Sequence, residues 1–102
     1  MKLTDLNPRW IGRDGTFTPD ASDGGCGVAF DCPGCRKHTI AVHFDKPLDG
    51  GRARSTRSWD RTGETFDTLT LTPSILESIS NGAGALIECW HGFVTNGEIV
   101  TC

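Results

Sequence analysis

Cys32-Pro33-Gly34-Cys35 sets two thiols two residues apart in a run that turns tightly. That spacing lets two thiolates converge on one ion, as in a zinc knuckle. It is half of a tetrahedral site, and the remaining ligands must come from elsewhere in the chain. Cys89, His91 and Cys102 are the candidates. Asn96-Gly97 between them is a strong signal for a two-residue hairpin turn. Counting back from that turn, Thr95 opposes Glu98, Val94 opposes Ile99, Phe93 opposes Val100, Gly92 opposes Thr101 and His91 opposes Cys102. Opposed residues share a face with Cβ atoms about 4.5–5.5 Å apart. Strict alternation along the strand adds Cys89 to that face. The expected ligand set is therefore Cys32, Cys35, His91 and Cys102, with Cys89 as the substitute for Cys102.

The other chemistry-bearing residues read more blandly. Cys26 suits a buried core position, because free cysteine packs as a small hydrophobe. His38 and His43 read as solvent-facing or supporting residues rather than ligands. Ser55 and Ser74 have no partner pattern that marks a nucleophile, and no G-x-S-x-G, P-loop or H-E-x-x-H run occurs.

The elements that must position these residues are short strands. Gly27-Val28-Ala29-Phe30 and Thr39 to Phe44 flank the first cysteine pair as a hairpin over residues 26–44. Ala85 to Thr95 and Glu98 to Cys102 form the second. A strand is expected over 66–72, ended by Pro73, and one short helical turn over Ser74 to Ile79. Ser80-Asn81-Gly82-Ala83-Gly84 reads as a loop. Residues 1–25 carry turn signals at Asn7-Pro8, Asp14-Gly15 and Asp23-Gly24-Gly25 and read as a loop-rich lead-in. The expected fold is mainly β (small α+β): two β-hairpins clamped by a zinc site, with little helix, in one domain over 1–102.

Composition agrees. With 102 residues, 13 Gly, 5 Pro and 36% hydrophobic residues, the chain has a lean core and gains from a metal staple. A net charge of -3 argues against a strongly basic nucleic-acid domain. No stretch approaches the roughly 18 apolar residues that span a bilayer, and the start lacks the apolar centre of a signal peptide. A reducing cytoplasm is the expected compartment, where five cysteines suit a metal better than disulfides.

Phe30-Asp31-Cys32-Pro33-Gly34-Cys35, Thr70-Leu71-Thr72-Pro73-Ser74-Ile75 and Trp90-His91-Gly92-Phe93, followed by Asn96-Gly97 and Cys102, resemble a family of small uncharacterised proteins. Its members come mostly from bacteriophages, prophages and mobile islands, some of them beside bacterial ubiquitin-like conjugation genes. The resemblance implies a phage or prophage origin in a bacterial host cytoplasm and a metal-binding fold, with no activity to carry over. Cys89-Trp90-His91-Gly92 is also similar to the Cys-Pro-Trp-His-Gly stretch of Rieske domains, although the pairs stand in the wrong order.

The expected function is a zinc-stabilised phage accessory protein that binds a host or phage macromolecule, a protein before a nucleic acid. One alternative is an iron–sulfur or redox protein on the same ligands. Another is a metalloenzyme with an open coordination position. Arg52, Arg54, Arg57, Trp59 and Arg61 are the candidate nucleic-acid contacts, since cations around an aromatic suit a single strand. Asp49, Asp60 and Glu64 dilute that charge, and a solvated loop is the stronger reading.

Overall fold

The computed structural model describes all residues except Asn81. One 3-10 turn, Leu3–Leu6, precedes eight strands: β1 Arg9–Ile11, β2 Phe17–Thr18, β3 Gly27–Asp31, β4 Thr39–His43, β5 Asp60–Thr62, β6 Thr70–Ser80, β7 Leu86–Thr95 and β8 Glu98–Thr101. They form two four-stranded antiparallel sheets, ordered β2-β1-β3-β4 and β5-β6-β7-β8. The mainly β fold with almost no helix is as the sequence led one to expect. The lead-in is more ordered than its turn signals suggested, because it contains the 3-10 turn, β1 and β2. No helix among the described residues is long and apolar enough to cross a membrane.

Both sheets feed one core. Val28, Phe30, Ile40 and Val42 come from the first, and Leu71, Ile75, Trp90 and Val94 from the second. Strand alternation explains the choice: Ile40 and Val42 are buried while Ala41 between them is exposed. Trp10 stacks on Phe66 at 4.4 Å between ring centroids, and Phe30 meets Trp90 edge-on at 6.4 Å.

The Asn96-Gly97 turn sets the β7–β8 register counted from the sequence, Thr95↔Glu98 through Gly92↔Thr101. The expected helical turn over residues 74–79 is absent: those residues lie in β6, paired with β7. Pro73 does not end the strand, and the Thr72-Pro73 bond within it is cis. Two irregularities break the β6–β7 ladder, between Leu71 and Ile75 and between Glu77 and Ser78. At the first, β6 bulges around Pro73 and Ser74. At the second, Glu77 pairs with Trp90 and Ser78 with Glu88, so Cys89 is the extra residue of a bulge in β7. The expected loop 80–84 contains Asn81, which lies outside the described residues.

Candidate functional site

Cys32, Cys35, His38 and Cys89 converge so that one donor atom from each lies within 4.8 Å of all the others. Cys32 is fully buried just past the end of β3. A tight turn follows, closed by the Arg36 amide donating to the Cys32 carbonyl at 2.8 Å, with Arg36 itself at φ 61. The Cys32 amide donates to the His38 carbonyl at 2.9 Å, which folds His38 back over the turn. Gly34 presses this turn against β7: a Cβ built there would lie 2.0 Å from the Cys89 carbonyl oxygen. Only glycine fits so close an approach.

The donor set suits a structural metal. Cys32 Sγ and Cys89 Sγ are 3.5 Å apart, near the roughly 3.8 Å edge of a tetrahedron with 2.3 Å metal–sulfur bonds. His38 turns Nδ1 to Cys35 Sγ at 2.9 Å. Its Nε2 lies 3.0 Å from Glu77 Oε2, close enough to pair although not aligned as a hydrogen bond. A carboxylate behind a ligating imidazole orients the ring and raises its basicity. Without an ion the thiols diverge. The Lys37 amide donating to Cys35 Sγ is the largest influence that pulls this thiol down to about 6. Its neighbour Cys35, then burial and Cys32, push the Cys89 thiol up to about 12.

Cys32 and Cys35 thus stand in the cluster, and so does Cys89. His91 and Cys102 do not, and His38 takes a place the sequence reading had denied it. The reason is the bulge. Strict alternation would put Cys89 and His91 on one face, but the extra residue breaks that parity. Cys89 shares the inner face with Trp90, whereas His91 faces outward opposite Leu76. Cys102 keeps its register, its amide donating to the His91 carbonyl at 2.9 Å, and it is exposed on the far side from the cluster. The signal missed was Cys35-x-x-His38, a repeat of the cysteine spacing.

His91 has another partner. Its Nε2 lies 3.0 Å from Ser74 Oγ, 17 residues away. Leu76 is paired with His91, and Ser74, two residues before Leu76, shares their outer face. Both members of the pair are half-buried. The Ser74 carbonyl accepts the Trp59 indole N–H at 3.3 Å. A cavity of about 500 Å³ opens beside Ser74, lined in part by Val42, His43, Arg57, Trp59 and Leu76. A serine and an imidazole at this distance have the geometry that a nucleophile–base contact requires. The sequence reading gave Ser74 no partner because the contact depends on the irregular β6–β7 register.

Two arginines of the arginine-rich stretch are tied down by backbone carbonyls. Arg54 Nε donates to the Arg13 carbonyl and Arg61 Nε to that of Lys46. Trp59 packs against the core, and Arg52 and Arg57 are exposed. Cys26 is fully buried, and burial raises its thiol pKa.

A sequence-family model described as "Bacterial ubiquitination-like system serine protease (BubE)" matches residues 4–102. Its wording agrees with the implied neighbourhood of ubiquitin-like conjugation and does not speak of phage. No curated protein matches, and no solved structure does.

Proposed function

Because the chain belongs to the BubE family, we propose that it is a serine protease with Ser74 as nucleophile and His91 as general base. The observation that carries this reading is the 3.0 Å contact between Ser74 Oγ and His91 Nε2 beside an open cavity. Ser74 O–H donates to Nε2 in the resting pair. As Oγ attacks a substrate carbonyl, the Oγ–C bond forms and the hydroxyl proton passes to Nε2. His91 returns that proton to the amine as the C–N bond breaks, leaving an ester on Ser74. Water then attacks the ester, gives a proton to His91 and releases the acid, and the proton returns to Ser74.

Zinc is the ion we assign to Cys32, Cys35, His38 and Cys89, on the chemistry of a three-thiolate, one-imidazole donor set. Four protein ligands close the coordination shell, so the ion serves structure and Ser74 serves chemistry. The protein partner expected from the sequence becomes the substrate in this reading, met in a bacterial cytoplasm.

A fluorophosphonate probe tests the pair. Mass spectrometry should find the adduct on Ser74. Ser74→Ala should abolish it, and His91→Ala should slow it by about 10²–10⁴-fold. Unchanged labelling in either variant overturns the assignment.

A further inference from the structure

Two sheet edges meet the cavity beside Ser74, and both expose backbone. β4 is the last strand of its sheet. The His43 carbonyl accepts the Trp59 amide at 2.9 Å, so the backbone of His43 points away from β3. By alternation the N–H and C=O of Ala41 point the same way. β5 covers β6 only over residues 70–72, and among the described residues no strand pairs with that edge from Pro73 onward. The His91 carbonyl accepts from Cys102 on the β8 side. Leu76, paired with His91, therefore turns its own N–H and C=O away from β7 toward that open edge. Ser74 does likewise, as its carbonyl contact with Trp59 shows.

The two edges are tied at both ends. At one end Trp59 bonds to β4 through its backbone and to Ser74 through its indole. At the other, His38 leads into β4 and touches Glu77 of β6 at 3.0 Å. Between them lie the five residues of β4, the span of about five residues of extended chain at roughly 3.3 Å each. His43 lies in the lining with its Nδ1 buried and, among the described residues, without a hydrogen-bond partner.

Resting on Ser74 as nucleophile, we infer that the substrate is an unfolded polypeptide segment, held in this groove as an added strand by the main-chain groups of Ala41 and Leu76. A folded domain cannot present its backbone there, whereas an extended tail or linker can. Recognition is then mostly of main chain, and sequence preference falls to the few side chains that reach His43, Arg57 and Leu76.

The test uses full-length Ser74→Ala protein and fluorescein-labelled β-casein, an unfolded chain. Binding should appear as a rise in anisotropy. Amide exchange followed by NMR should slow at least tenfold at Ala41 and Leu76, and Leu76→Pro in the same background should weaken binding about tenfold. That substitution removes one outward donor and no ladder bond. Absence of binding, or binding without slowed exchange at those two amides, overturns the inference. If Leu76→Pro does not fold, the exchange measurement alone decides. Labelling of wild-type Ser74 by fluorophosphonate needs no groove, so failure of the nucleophile assignment shows separately.

Discussion

Cys35 and Cys89 belong to one cluster yet lean in opposite directions, one thiol near 6 and the other near 12. In the metal-free protein at pH 7, Cys35 is above its pKa and is thiolate, whereas Cys89 is far below its own and keeps its proton. Thiolate is the nucleophile. Iodoacetamide should therefore modify Cys35 well ahead of Cys89, with a rate that climbs through pH 6 rather than pH 9, read by peptide mass spectrometry. A bound ion inverts this logic by holding every ligand deprotonated and shielded. Neither cysteine of the metal-loaded protein should react. Equal modification of the two thiols in the metal-free protein would contradict the Lys37 amide as the source of the difference.

At the scale of elements, the cysteine turn and the β7 bulge are made for each other. Gly34 leaves no room for a side chain against the Cys89 carbonyl. Gly34→Ala should force the turn off β7, at a cost of about 1–3 kcal/mol and a fall in melting temperature of about 5–20 °C. Metal content should fall with it. Full metal content and an unshifted melt would show that the turn is not held as described. The same elements show what a sequence discloses. Asn96-Gly97 made the β7–β8 register countable, because a two-residue turn fixes every pair that follows. Cys32-Pro33-Gly34-Cys35 pointed to a cluster that could hold a metal because local spacing alone brings its thiols together. The inserted residue at Cys89 has no such local mark. It moved Cys89 inward and left His91 outside, so strict alternation points to His91 where the cluster holds His38. Ser-Ile-Leu-Glu-Ser-Ile fits a helix or a strand by pattern, and only pairing with β7 decides for the strand. The Ser74–His91 contact rests on that pairing and was hidden with it.

Across the whole molecule, the cluster joins the two sheets at one point. Cys32, Cys35 and His38 hang from the β3–β4 hairpin, and Cys89 belongs to β7. Structural zinc contributes on the order of 10 kcal/mol to folding in small domains. Stripping the metal under reducing conditions should lower the melting temperature by at least about 20 °C. It should also slow fluorophosphonate labelling of Ser74, since β6 and β7 carry both sites. Elemental analysis should find one zinc per chain in a colourless protein. A red-brown protein containing iron would favour the redox alternative, and an unchanged melt after verified removal would end the structural role.

The bulge at Cys89 has one more consequence. It turns Cys89 and the cluster to the inner face of the second sheet and leaves His91, with Ser74, on the outer one. The two sites share β6 and β7, and Glu77, which touches His38 and lines the cavity beside Ser74, reaches both. Cobalt loaded into the cluster would thus be a coloured gauge mounted behind those strands, reporting on the set of β6 and β7 while peptide occupies the groove.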